Sequence, residues 1–408
     1  MNELSQYLIP KGFKFAATKA GLKASGRPDF AVIVADTPAS AAAVFTANRV
    51  QAAPLMVDKE NLSATGGRVR VVAVNAGNAN CAAGEPGLRA ARATCAGAAK
   101  IFRCETQEVF PSSTGIIGVP LPAEKLIDVM PELAELMSAD GKSFDEAAQA
   151  ILTTDTVKKT AFARLDVAGA DGSVREVRIA AFGKGSGMIH PQLVPHATML
   201  IYVMTDAAVE AAALQAYLRN AVEVSFNRIS VDGDTSTNDT VLLMASGASG
   251  VRIGAGDAAF AEALTEVCTS MARQVVSDGE GLTHVVELRI DGAANDADAL
   301  RVAKAIAHSP LVKTAWAGCD PNWGRLAAAI GYSGAQVDPE RFDIWFGELP
   351  ICRDGGRAVE FDEAAAHAYI SQREFSISID LHQGEGKCVF WTTDLTVEYI
   401  HINADYST

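Results

Sequence analysis

Along its whole length this chain alternates short runs rich in β-branched residues with longer segments whose apolar residues recur every three or four positions. The first pattern belongs to strands and the second to amphipathic helices. A chain that mixes them throughout, with several adjacent strand pairs, is restricted to a layered α/β or α+β fold. Strand patterns occupy 31–35, 69–74, 161–167, 174–182, 199–204 and 241–244, then 284–290, 342–346, 375–381 and 389–402. Helix patterns occupy 122–137, 144–152, 208–219, 258–275, 296–307 and 362–369. In the first of these, Leu126, Ile127, Met130, Leu133 and Leu136 keep the helical spacing. Gly/Ala-rich stretches near 76–99 and 245–257 read as tight turns and close packing. No repeat, low-complexity tract or shift of composition marks a domain boundary.

Composition narrows the functional classes. The 408 residues suffice for a sizeable core, and 49% apolar against 21% charged residues excludes disorder as the main state. A net charge of −14 argues against nucleic acid and against an anionic membrane surface as partners. The start, Met1-Asn2-Glu3-Leu4, has no signal-peptide pattern, and no run approaches the ~18 apolar residues of a membrane span, so a cytoplasmic location is expected. Seven cysteines, odd in number and without a C-x-x-C, read as reduced, mostly buried thiols, not as a disulfide framework or a zinc site. The seven His are scattered and suggest no metal site.

Three segments carry potential chemistry. The first is Gly183-Lys184-Gly185-Ser186-Gly187-Met188-Ile189-His190-Pro191, leading to Ala197-Thr198-Met199-Leu200. Its glycines permit close backbone approach to a ligand and its Lys supplies a cation, but the P-loop order is absent. If the Ala197–Thr198 bond were cut, Thr198 would gain an α-amine of pKa near ~8, able to take the proton of its own hydroxyl. A β-branched residue filling a strand position is the plainer reading of Thr198. The second segment, Pro111-Ser112-Ser113-Thr114-Gly115-Ile116-Ile117-Gly118, is either an ST-turn or a turn that aims a hydroxyl and an N–H at a developing oxyanion. The third, Asn227 to Thr240, is almost wholly polar between a helix and a strand. It is either solvated or the hydrogen-bonded wall of a site. Its Asp232 and Asp234 invite a calcium reading, which the missing Glu of an EF-hand loop weakens. Asn75–Asn80, Asp278-Gly279-Glu280-Gly281, Asp320–Arg325 and the tail from Asn403 are, taken singly, turn chemistry.

Together these segments resemble the ornithine acetyltransferase (glutamate N-acetyltransferase) family of arginine biosynthesis. The resemblance runs through Phe45–Val50, Asn75–Asn80, Ser113-Thr114-Gly115, the Lys184 loop with Ala197-Thr198, Asn227–Thr240, Asp278–Gly281, Asp320–Arg325 and Asn403–Asp405, in the family's order over essentially the whole chain. It implies an α/β layered sandwich of the ornithine acetyltransferase and aminopeptidase type. It also implies self-cleavage before Thr198 into an α fragment (1–197) and a β fragment (198–408), intertwined and paired into at least an (αβ)2 assembly. Thr198 would carry the acetyl group from N2-acetyl-L-ornithine to L-glutamate, releasing L-ornithine and then N-acetyl-L-glutamate, with no metal and no organic cofactor. Thr114, by its hydroxyl, and Gly115, by its N–H, match the oxyanion-hole pair. Thr153, Lys184, Thr198, Glu280, Asn403 and Thr408 match the substrate-holding positions, Thr153 being picked from Thr153-Thr154-Asp155-Thr156 by its spacing from Thr114. Lys184 suits the α-carboxylate that both substrates share, and Glu280 the side-chain ammonium of ornithine. Some family members also use acetyl-CoA; no acetyl-CoA motif stands out here.

One departure stands before the scissile bond. The family pattern has two residues between His-Pro and Ala-Thr, whereas Gln192, Leu193, Val194, Pro195 and His196 stand here. Cleavage needs the Thr hydroxyl held against the preceding carbonyl, so this lengthening leaves open slowed cleavage, and His196 as a proton carrier or a plain loop residue. Two competing readings follow: an N-terminal-nucleophile amidohydrolase that uses water as acceptor, and an uncleaved, inactive ligand-binding paralogue.

Overall fold

A computed structural model describes residues 8–168, 174–191 and 199–405. Among these, the strands in chain order are β1 (Phe13–Thr18), β2 (Phe30–Phe45), β3 (Arg68–Asn78), β4 (Val109–Ile116), β5 (Lys159–Ala168), β6 (Val174–Lys184), β7 (Leu200–Thr205) and β8 (Ile229–Ser230). They continue with β9 (Thr240–Ala245), β10 (Val285–Ala293), β11 (Asp343–Phe346), β12 (Leu349–Arg353), β13 (Gly356–Arg357), β14 (Glu374–Asp380) and β15 (Gly386–Thr393). The helices are α1 (Ala53–Thr65), α2 (Gly84–Phe102), α3 (Ala123–Leu136), α4 (Gly141–Ala150), α5 (Ala211–Val224) and α6 (Ala258–Ser277). Then come α7 (Asp296–Ala307), α8 (Pro310–Ala317), α9 (Trp323–Tyr332), α10 (Glu363–Ile370) and α11 (Val397–Asp405).

Two mixed sheets result, which is the layered α/β architecture expected. One runs β4-β3-β2-β9-β7-β6-β5, with β1 also on β2; the other runs β13-β12-β11-β14-β10-β15-β8. The run Leu200-Ile-Tyr-Val-Met-Thr205 shows why β7 sits centrally. All six residues are buried. Ile201 and Val203 join α5 and α6 in one core, while Leu200, Tyr202 and Met204 join Phe15, Phe144 and Phe182 in another. Alternating side chains buried on both faces demand layers on both sides. Phe144 of α4 meets Phe15 and Phe182 edge-on, each at 5.2 Å between ring centroids. The α5/α6 core extends to Val285 and Trp391 of the second sheet, so these helices lie between the sheets. Helices α7 to α10 share a core with the second sheet.

Strands from before and after position 198 interleave. β7 pairs with β6, and β9 pairs antiparallel with β2 and parallel with β7. Described strands on either side of position 198 therefore share one sheet.

Three expectations change. The stretch 389–402 is not one strand: β15 ends at Thr393 and α11 begins at Val397. Between them the Asp394 carboxylate accepts the Thr283 N–H at 3.0 Å, and Thr396 Oγ1 accepts the Tyr399 N–H at 3.3 Å, which starts a helix. The stretch 76–99 holds most of α2 and is not a chain of turns. Its small residues Ala90, Ala91, Cys95 and Ala98 pack closely on Leu126 and Met130 of α3, so alanine supplied helix propensity without a large apolar stripe. Pro111–Ile116 is strand, not turn, because β4 pairs parallel with β3. Strands β1 and β4 and helices α1, α8 and α9 had no pattern strong enough to predict them. Five cysteines are buried and Cys104 and Cys319 are half-buried. Among the described residues no helix is long and apolar enough to cross a membrane.

Candidate active site

Six of the candidate residues line one cavity of about 160 Å³: Thr114, Gly115, Thr153, Lys184, Glu280 and Asn403. They come from β4, the loop after α4, the end of β6, the loop after α6, and α11. Met199 and Leu200 line the same cavity. Ala197, Thr198 and Thr408 lie outside the described residues, as does His196.

The Ser113–Gly115 segment is held by buried amides. Ser113 Oγ donates to Asn75 Oδ1 at 2.6 Å, and Asn238 Nδ2 donates to the Ala79 and Ser113 carbonyls at 2.6 and 2.8 Å. Gly115 has φ +129°, and a Cβ there would stand 2.4 Å from the Gly77 carbonyl carbon. Only glycine lets the end of β4 lie this close to β3.

The 227–240 segment is a site wall. Asp232 accepts the N–H groups of Met188 and Ile189 at 2.6 and 2.8 Å, and Thr235 Oγ1 donates to the His190 carbonyl at 2.9 Å. From its other side Thr46 Oγ1 and Asn48 Nδ2 donate to the Ser236 and Thr235 carbonyls. Asp232 thus spends its oxygens on backbone N–H groups, which accounts for it without calcium. Burial pushes its carboxyl up to about 6 against those hydrogen bonds. In contrast, Asn322 of the 320–325 segment caps α9, which is turn chemistry away from the cavity.

Lys184 ends β6 and is nearly buried; its Nζ lies 3.8 Å from Asp155 Oδ2. Asp155 Oδ1 pairs with Lys159 Nζ at 2.7 Å and accepts the Gly185 N–H at 2.7 Å. Lys159 Nζ also meets Asp278 Oδ2 at 2.6 Å, and Asp278 accepts the Thr156 and Val157 N–H groups. Burial raises the Asp155 carboxyl, but the Lys184 and Lys159 ammonium groups and the Gly185 N–H outweigh it and hold it at about 2. A carboxyl depressed on folding stabilises the fold above its unfolded value of 3.8, and that contribution is lost as pH falls toward about 2. The stability gap between wild type and Asp155→Asn is therefore expected to be widest above pH ~4, on the order of 2 kcal/mol, and to close toward pH ~2. Urea unfolding at a series of pH values measures it, and a gap constant with pH would contradict this assignment.

Glu280 and Asn403 face each other, Asn403 Nδ2 donating to Glu280 Oε2 at 3.0 Å. The Glu280 N–H donates to the Ser186 carbonyl at 3.1 Å, and a Cβ on Gly187 would stand 2.4 Å from the Glu280 carboxyl. The glycine lets the Lys184 loop and the Glu280 loop close on each other.

The profile of the ArgJ family matches residues 14–408. The chain belongs to the ArgJ family. The arginine biosynthesis bifunctional protein ArgJ of Geobacter sulfurreducens is 46% identical over 98% of this chain and 99% of its own. That of Symbiobacterium thermophilum is 45% identical over 98% of each. Among solved structures, ArgJ from Bacillus halodurans is 43% identical over 49% of this chain and 96% of its own (TM-score 0.48). The ornithine-complexed ornithine acetyltransferase of Mycobacterium tuberculosis is 34% identical over 45% and 94% (TM-score 0.40). This ArgJ-family chain is an acyltransferase, a glutamate N-acetyltransferase of arginine biosynthesis.

The sequence reading passed over Thr154 in favour of Thr153, although both line the cavity, and it missed the Asp155–Lys159–Asp278 network altogether. The one available signal was Asp155 and Lys159 at i,i+4, the Lys opening an apolar strand pattern.

Proposed function

We propose that this cavity transfers acetyl from N2-acetyl-L-ornithine to L-glutamate through an ester on Thr198, after the chain cuts itself between Ala197 and Thr198. The observation that carries the proposal is convergence. Six residues scattered from position 114 to 403 line one cavity, and Met199, next to Thr198 in sequence, stands in its wall. The freed Thr198 amine takes the hydroxyl proton, and Oγ attacks the acetyl carbonyl. Thr114 Oγ and the Gly115 N–H receive the oxyanion. The tetrahedral intermediate collapses to the acetyl ester as ornithine leaves with the proton on its α-amine. The α-amine of glutamate then attacks the ester and N-acetyl-L-glutamate departs, restoring the Thr198 hydroxyl. Lys184 takes the α-carboxylate in both halves. Glu280, oriented by Asn403, takes the ornithine side-chain ammonium, and Thr153 and Thr408 complete the substrate contacts. No step needs a metal or organic cofactor. The relatives' bifunctional name extends the proposal to acetyl-CoA as a second donor to the same ester. Pairing of fragments into at least an (αβ)2 particle belongs to it as well, read out by the mass in solution.

Denaturing mass of the purified protein, with N-terminal sequencing, is the test. Two fragments are expected, the second starting Thr-Met-Leu-Ile. A single intact chain would favour the inactive paralogue, and acetylornithine loss independent of glutamate would favour the hydrolase.

Glu280→Gln should lower kcat/KM for acetylornithine roughly 10- to 100-fold, the cost of losing a charged partner to a buried ammonium. Its unfolding midpoint should stay within about 2 °C of wild type, because Gln keeps an acceptor for Asn403. Parallel losses of activity and stability would count against the role.

A further inference from the structure

We infer that Lys159, which does not line the cavity, is a positioning residue that keeps the Lys184 ammonium available to the substrate carboxylate. The inference rests on the reading of Lys184 as the carboxylate partner. Lys159 is fully buried and lies opposite Gly183 across the β5–β6 ladder, beside Lys184. Its Nζ joins Asp155 and Asp278 at 2.7 and 2.6 Å. These two carboxylates anchor the three segments that carry the substrate contacts. Asp155 accepts the Thr153 N–H at 3.2 Å and the Gly185 N–H at 2.7 Å. Asp278 holds the Thr156 and Val157 N–H groups, and its carbonyl accepts Ser186 Oγ at 2.7 Å. Glu280 follows two residues later.

The distances separate the two lysines. Lys159 hydrogen-bonds Asp155, whereas Lys184 stands at 3.8 Å, beyond hydrogen-bond length. Asp155 is thus hydrogen-bonded by Lys159 and only charge-paired with Lys184. Lys184 stands next to an anion without spending its N–H donors on it, so a substrate carboxylate does not have to displace a tight internal partner. A buried carboxylate stripped of one cation draws in the next. Without Lys159, the ion pair left to Asp155 among the described residues is Lys184.

The test is steady-state kinetics of four cleaved, folded proteins: wild type, Lys159→Met, Asp155→Asn plus Lys159→Met, and Lys184→Met. Lys159→Met should raise KM for both acetylornithine and glutamate roughly 10- to 100-fold, with kcat falling less than about threefold, as expected when binding common to ground and transition states is lost. Adding Asp155→Asn should bring both KM values back toward wild type, since the competing anion is gone. A merely structural role predicts no such split and no rescue. Unchanged KM in Lys159→Met, no rescue in the double variant, or a Lys159→Met chain that stays uncut would each overturn the inference. If Lys159→Met fails to fold, the double variant must fold and bind substrate with near-wild-type KM, and its failure would overturn the inference too. Unchanged KM in Lys184→Met would remove the carboxylate reading of Lys184 itself. A raised KM there with none in Lys159→Met would remove only the role of Lys159.

Discussion

Thr198→Ala is expected to leave a single uncut chain without transacetylase activity. Alanine lacks the Oγ that attacks the preceding carbonyl, so the Ala197–Thr198 bond stays closed and neither the amine nor the nucleophile exists. The loss in kcat should be on the order of 10⁴- to 10⁶-fold, the scale seen when a covalent nucleophile is deleted. Thr198→Ser keeps a hydroxyl and should retain part of both cleavage and turnover. Denaturing mass reads the first effect and glutamate-dependent release of ornithine the second. A Thr198→Ala protein that is still cut at this bond, or that still transfers acetyl, would place the nucleophile elsewhere.

The second large effect belongs to Thr114. Thr114→Ala should lower kcat about 10²- to 10³-fold with KM little changed, because a hydroxyl aimed at the oxyanion acts only once charge develops there. The substitution removes Oγ and one methyl from a residue on the cavity wall, while the β3–β4 backbone pairing and the Asn75, Ser113 and Asn238 hydrogen bonds remain. Folding should therefore be nearly unaffected, and Thr114→Ser should recover most of the rate. Circular dichroism and single-turnover acetylation of the enzyme separate the two effects. A kcat within about threefold of wild type would remove Thr114 from the oxyanion hole.

The sequence determined most of the local structure and most of the reactive residue types. Val174–Lys184 and Leu200–Thr205 were legible as strands because β-branched and apolar residues crowd into short runs. Asp296–Ala307 was legible as a helix from its periodicity. Lys184, Glu280 and Asn403, which line one cavity, were singled out only through the resemblance to a family, since taken singly their segments read as loop and turn chemistry. What lay beyond the sequence depended on partners distant along the chain. α2 is held by small side chains whose value appears only when α3 lies against them. β4 becomes a strand only because β3 offers it a parallel edge. Lys159 and Asp278 look like a strand-start lysine and a helix-end aspartate until folding brings them, 119 positions apart, to 2.6 Å. Periodicity and propensity act over a few residues, whereas burying a charge is tolerable only beside a specific counter-charge. Tertiary structure alone decides which counter-charge that is.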